Sequence, residues 1–241
     1  MNPKSVHELR TKIFADGADR DAILALNKKD YIKGFTTNPT LMRKAGITDY
    51  EKFARSILEE IPDKPFSFEV FADDFESMSK QADIIARWGD NVYVKIPITN
   101  TQGESAKDLI RRLAGRGYKL NITAMTTVNQ AESIMSCFDG SPSSYISIFA
   151  GRVADTGRDP VAMMARAVEV LKPHKNLELI WASPRELLNI YHADQVGCHI
   201  ITVTPEILKK LDLIGKDLNR YSLETVQMFY EDGQKSGFHL G

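Results

Sequence analysis

Two hydrophobic periods succeed each other along this chain. Short runs rich in β-branched and aromatic residues fall at 12–16 (KIFAD), 32–38 (IKGFTTN), 66–72 (FSFEVFA) and 92–97 (VYVKIP), then at 120–125 (LNITAM), 144–150 (SYISIFA), 178–183 (ELIWAS) and 199–204 (HIITVT). Their length and composition predict buried strands. Between them lie stretches with helical periodicity at 19–27, 73–88, 105–113, 128–138, 160–171 and 184–193. Pro160 and Pro184 stand where a first-turn proline opens a helix. Strict alternation of strand and helix implies a parallel sheet with crossover connections. Eight such units in 241 residues match a closed α/β barrel, a single (β/α)8 TIM barrel spanning 1–241 as one domain. A doubly wound open sheet is the competing architecture, but the first strand runs into ADGADRD with no GxGxxG or P-loop. An extra C-terminal helix is predicted at 221–235, with Leu223, Val226, Phe229 and Tyr230 on one face. That face is expected to pack on the barrel exterior or on a neighbouring subunit.

Barrel enzymes build their sites at the C-terminal ends of the strands. Those ends here carry Asp16, Asn38, Glu69, Lys95, Thr123, Ser147, Ser183 and Thr204. Helix capping accounts for Asp16, Asn38, Ser183 and Thr204 as readily as function does. It does not account for Glu69 and Lys95, which are embedded among apolar neighbours. Period-two alternation puts Lys95 on the face of Tyr93, Asn121 with Thr123, and Ser147 with Tyr145 and Phe149. The aliphatic residues between them suit the layer beneath the helices, so the polar set is expected to line the barrel. A lysine and a glutamate there are costly unless they pair or do chemistry. A lysine amine withdrawn from water loses its proton more readily and can form a Schiff base with a carbonyl. Asp16 and Glu69 are the carboxylates that could exchange protons beside it; a plain Lys95–Glu69 ion pair is the competing account.

Composition narrows the partners. With 31 Lys+Arg against 32 Asp+Glu the net charge is −1, which offers no footprint for nucleic acid or an anionic membrane surface. No apolar run reaches membrane-spanning length, and MNPKSVHELR lacks a signal-peptide apolar region, so a cytoplasmic protein is expected. Cys137 and Cys198 lack CxxC spacing, and the five histidines form no HxxxH or HExxH, so no metal site is expected. Ser147 and Ser183 lack the GxSxG elbow of a serine hydrolase. Arg152 and Arg185 follow strand ends and suit a phosphate at the barrel mouth, or else surface ion pairs.

The segments IFADGAD, GFTTNPTLMRKAG, FEVFAD, VYVKIPIT, LNITAM, YISIFAGRVADTGRDP and WASPRELLNIYHADQVGCHIITVTPEIL run almost end to end. Their order and spacing make the chain resemble the transaldolases, barrel enzymes of the pentose phosphate pathway that use a lysine Schiff base and no cofactor. The resemblance implies that Lys95 forms the imine, that Asp16 moves the proton of the sugar hydroxyl, and that Glu69 and Thr123 hold a proton-relaying water. It implies that Asn38, Asn121 and Ser147 bind hydroxyls of the three-carbon unit, and that Arg152, Ser183 and Arg185 grip the substrate phosphate. The expected partners are small sugar phosphates and further copies of the chain, as a homo-oligomer.

Several positions depart from the usual pattern. Ile148 stands where proline is common, Thr126 and Thr127 replace a Phe-Ser pair, and Pro184 replaces an aromatic residue. These bear on pocket shape. A sister branch cleaves fructose 6-phosphate as a simple aldolase and typically carries Gln at position 69 and Tyr at position 149. Glu69 and Phe149 therefore favour the transferase over that lyase, and a reactive Lys95 separates both from a non-catalytic phosphosugar-binding barrel.

Overall fold

Each apolar run becomes a strand because its alternate side chains find two different apolar surroundings. In the computed structural model, which describes residues 3–239, the strands are β1 (Lys12–Asp16), β2 (Ile32–Thr36), β3 (Phe66–Glu69) and β4 (Val92–Pro97). They continue as β5 (Leu120–Met125), β6 (Ser144–Ile148), β7 (Leu177–Trp181) and β8 (Ile200–Val203). All pair in parallel and in sequence order, and β8 closes onto β1. The outward residues, among them Ile13, Phe35, Val94, Ile122 and Ile146, pack against the surrounding helices in one continuous core.

A second, smaller apolar cluster fills the barrel itself: Phe14, Tyr93, Tyr145, Ile180, Ala182 and Ile200, with Phe149 packed on it. The rings of Tyr93 and Tyr145 stack at 4.0 Å, and Phe14 meets Tyr145 edge-on at 5.8 Å. Phe14 fills this space because Gly34 leaves it open; a Cβ on Gly34 would stand 2.6 Å from the ring. On β1, β4 and β6 the inward position two residues further along turns polar: Asp16 after Phe14, Lys95 after Tyr93, Ser147 after Tyr145. The aromatic plug is thus the floor of a polar mouth, with one pleat of rise between them.

Strand ends are shorter than the apolar runs. Asn38, Ala72, Ala150, Ser183 and Thr204 lie beyond the last ladder residues, where the chain turns into loops and helices. Residues 39–60, left without a helix by their periodicity, hold two, Pro39–Lys44 and Tyr50–Glu60. The helix expected at 128–138 divides into Val128–Glu132 and a 3₁₀ turn at Met135–Phe138. The C-terminal helix spans Leu218–Ser236 and buries none of its residues, so it does not pack on its own barrel. At its start Lys216 folds back along the helix itself, pairing with Glu224 and lying 4.6 Å from the Tyr221 ring centre.

Candidate active site

Parallel register places Glu69 of β3 beside Lys95 of β4, and Lys95 beside Asn121 of β5. The side chains follow. The Lys95 amine lies 3.0 Å from a Glu69 carboxylate oxygen and donates to the Thr37 carbonyl at 2.8 Å. Its side chain is 7 % exposed and that of Glu69 18 %, so the amine is enclosed while the carboxylate touches the mouth. The ion pair weighed for Lys95 is therefore present, and it delivers the amine to the open end of the barrel rather than out to solvent.

Across the mouth, Asp16 accepts a hydrogen bond from Thr36 Oγ1 at 2.7 Å, and Thr36 shares a second with Thr202. Burial raises the Asp16 carboxyl above its ordinary range; the Lys95 charge and the Thr36 hydroxyl oppose that rise, and the Glu69 charge adds to it. Two carboxylates and one cation thus share a single field, with Asp16 disposed to hold a proton at a higher pH than a free aspartate.

Below them runs a chain of neutral hydrogen bonds. Ser147 donates to Asn121 at 2.7 Å, and the Asn121 amide donates to Ser67 at 3.0 Å. Thr123 is buried on β5, and its hydroxyl oxygen has no protein partner among the described residues. A buried hydroxyl of this kind is satisfied by water. Asn38 is half-buried and caps the helix Pro39–Lys44, its side-chain oxygen accepting from Leu41 N–H at 3.0 Å, which leaves its amide nitrogen for a ligand. Its capping and binding readings are compatible.

The arginines gather around Gly151. Ser183 holds a left-handed φ of 60°, and its carbonyl lies so close to Gly151 that a Cβ there would stand 1.5 Å from the oxygen. Any residue other than glycine would push the Ser183 loop away from the helix Ala150–Ala154, which carries Arg152. Arg152 lies over the Phe149 ring, 5.7 Å from its centre. Arg185 is forked onto Asp155, its Nε donating at 2.9 Å and Nη2 reaching the other oxygen. That hydrogen bond and the guanidinium charge hold the Asp155 carboxyl below the usual range. The surface-pair reading thus describes part of what Arg185 does; its remaining N–H groups stay available. Arg152 forms no ion pair among the described residues.

Sequence patterning missed Thr36, Thr202 and Ser67, although each occupies an inward position of IKGFTTN, HIITVT or FSFEVFA. It missed Tyr50 and Asp155 because both come from helices or loops far from the strands they serve. Among the described residues no group of three His, Cys, Asp or Glu side chains could hold a metal ion, and no helix is long and apolar enough to cross a membrane.

A closed barrel with a buried lysine between carboxylates at its C-terminal mouth has the plan of a barrel enzyme. The chain belongs to the transaldolase/fructose-6-phosphate aldolase family, which it matches over residues 13–240. It is 34% identical over 201 residues to a protein named probable transaldolase from Dehalococcoides mccartyi, covering 83% of this chain and 89% of that one. It is 35% identical, over the same shares, to another of that name from Streptococcus equi subsp. zooepidemicus. Among solved structures it is similar to orotidine 5'-monophosphate decarboxylase from Metallosphaera sedula. The TM-score there is 0.55 at 11% identity, over 85% of this chain and 96% of that one, a likeness of fold alone.

Proposed function

We propose that this protein is a transaldolase that moves a dihydroxyacetone unit from a ketose phosphate to an aldose phosphate through an imine on Lys95. The observation that carries the reading is the enclosed Lys95 amine, held 3.0 Å from Glu69 and within the field of an Asp16 carboxyl whose affinity for protons burial has raised. The amine, having passed its proton to Glu69 or its water, adds to the ketose carbonyl; loss of water gives a protonated imine. Asp16 then takes the proton of the neighbouring sugar hydroxyl, the adjacent carbon–carbon bond breaks, and its electrons flow into the imine. An aldose phosphate leaves, and the three-carbon unit stays on Lys95 as an enamine. The enamine carbon attacks the carbonyl of an acceptor aldose phosphate, whose new alkoxide takes the proton back from Asp16, and water releases the product.

In this reading Thr123 and Glu69 hold the relaying water, and Asn38, Asn121 and Ser147 take the hydroxyls of the three-carbon unit. Arg152, Ser183 and Arg185 take the phosphate. Balanced charge fits diffusible sugar phosphates in a cytoplasm rather than nucleic acid or a lipid surface. The protein acts as a homo-oligomer in which the helix Leu218–Ser236 of one copy covers the apolar groove of another, lined by Val6, Leu26, Tyr31, Leu208, Leu211 and Ile214. Two complementary apolar surfaces on one chain support a self-partner: the helix leaves Val226, Phe229 and Tyr230 at least 60% exposed, and the groove has about 660 Å³ to fill.

Transfer and lysis separate by product. A transferase must keep its enamine from being protonated before the acceptor arrives, and Phe149, packed on the barrel plug, presents no hydroxyl to that side. Fructose 6-phosphate alone is expected to yield little free dihydroxyacetone, and added erythrose 4-phosphate to yield sedoheptulose 7-phosphate rapidly. Dihydroxyacetone released equally fast without an acceptor would make the protein a lyase. Phe149→Tyr, above all with Glu69→Gln, should shift the balance toward release.

A further inference from the structure

Glu69 closes β3, and its backbone has a partner on one side only within the sheet. On the β4 side the ladder continues, with Val70 N–H donating to the Lys95 carbonyl at 3.1 Å. On the β2 side it stops early. The N–H and C=O of odd-numbered β3 residues face β2, and the last such contact is Thr37 N–H to the Ser67 carbonyl at 3.2 Å. Two residues on, the chain has already left β2 for the helix Pro39–Lys44. Glu69 N–H and C=O therefore face an edge with no strand, directly beside the reacting amine.

One phenol occupies that edge. Tyr50 Oη accepts from Glu69 N–H at 2.8 Å and donates to the Glu69 carbonyl at 3.0 Å. A hydroxyl can do both at once, so this single group supplies the donor and the acceptor of the absent strand residue. Its ring is fixed by Phe68, Phe71 and Trp88, at centre distances of 6.2, 6.0 and 5.4 Å. Its backbone is fixed too, because Asp49 caps the helix that Tyr50 opens, accepting from Lys52 N–H at 3.0 Å. Burial raises the phenol well above its ordinary value, so it stays protonated and keeps its donor throughout the working pH range.

We propose that Tyr50 is a positioning residue for the Lys95 chemistry, a backbone substitute that holds Glu69 against the amine. This rests on the Schiff-base reading given above. Without the clamp Glu69 swings with a frayed strand end, and a displacement of about 1 Å at a reacting group costs on the order of 10²-fold in rate.

The test is Tyr50→Phe, which keeps the ring and its packing and removes both hydrogen bonds. We expect kcat for sugar transfer to fall roughly tenfold or more while KM for the donor stays within about twofold. In a Glu69→Gln background the same change should cost little further, because the phenol acts through Glu69. Trp88→Phe, which loosens the same aromatic cluster but keeps the phenol, should lower the melting temperature without that loss of kcat. An unchanged kcat in Tyr50→Phe, an equal loss in the Glu69→Gln background, or an equal loss in Trp88→Phe would each overturn the role. Should Tyr50→Phe not fold, 3-fluorotyrosine placed at position 50 weakens the hydroxyl as an acceptor; an unaltered kcat there overturns the role as well. Borohydride trapping with a ketose phosphate separates the two levels. A wild-type protein labelled on Lys95 with an unaffected Tyr50→Phe variant removes only the positioning role, whereas no label on Lys95 removes the imine reading and the positioning role with it.

Discussion

Lys95 and Glu69 are register partners on adjacent parallel strands, and their side chains meet at 3.0 Å inside the barrel mouth. Neighbouring strands project register-matched residues to the same face, so the pairing follows from the ladder and not from a flexible search by long side chains. The pair has a floor of stacked tyrosines, a wall of Asn121 and Ser147, and a second carboxylate, Asp16, across the opening.

Lys95→Met should leave the fold intact and abolish turnover. The apolar stem is kept, and Glu69, left without its cation, has access to the mouth and can take up water. Activity is expected to fall by on the order of 10³-fold or more, and borohydride trapping should leave no mass adduct. A purified, folded variant retaining a substantial fraction of activity would remove Lys95 from the chemistry.

Asp16 should trade stability for catalysis. Its carboxyl is raised above the ordinary value of 3.8 in the folded state, mainly by burial. A raised carboxyl binds its proton more tightly when folded, so its contribution favours folding below the unfolded value and is lost as pH rises through the folded one. Once the pH passes that raised value, the ionised group therefore costs stability. Asp16→Asn removes that cost. Its melting temperature should equal or exceed that of the parent at pH 7, the advantage should shrink as pH falls through the raised value toward 3.8, and turnover should collapse throughout. A variant less stable at pH 7 than at pH 4, relative to the parent, would contradict the sign.

The phosphate grip should show itself in KM. Arg152→Ala and Arg185→Ala each remove a charge-assisted hydrogen bond of about 1.5–3 kcal/mol, which raises KM for phosphorylated donors roughly tenfold to 150-fold. Unphosphorylated analogues should be affected far less. Asp155→Asn, which loosens Arg185 without removing it, should give an intermediate rise. Equal losses for both substrate classes would assign the arginines to structure alone.

The C-terminal helix should decide the size of the particle. Phe229→Glu places a charge on an exposed face, so the barrel should fold as before. Sedimentation velocity should then show a smaller species than the parent at the same concentration. An identical sedimentation coefficient for the two proteins would show that this face does not hold copies together.

Much of this was legible along the chain, because the information is local. Alternation in VYVKIP and SYISIFA dictates which side chains share a face, and an apolar set facing helices forces Lys95 and Ser147 inward whatever else the chain does. Glu69 stood out for the same reason, since a carboxylate flanked by Phe68 and Val70 is costly unless it pairs or does chemistry. Local pattern also set its own limits. The runs containing Ala72 and Ala150 kept their apolar character past the point where neighbouring strands stop pairing, and strand ends depend on the neighbour.

What only the folded chain decided is who meets whom across distance. Tyr50 sits 19 residues before Glu69, in a stretch whose periodicity marks neither strand nor helix, and it gains a role only when barrel closure leaves the Glu69 backbone without a strand and the phenol within reach. Arg185 and Asp155 are 30 residues apart and pair only because the β6 and β7 loops converge over Gly151. The apolar stripe of the last helix is visible in its spacing, but its failure to lie on its own barrel is a property of tertiary geometry. Side-chain direction is dictated by the residues on either side, whereas hydrogen-bond partnership is dictated by closure of the whole sheet, and no local period encodes closure.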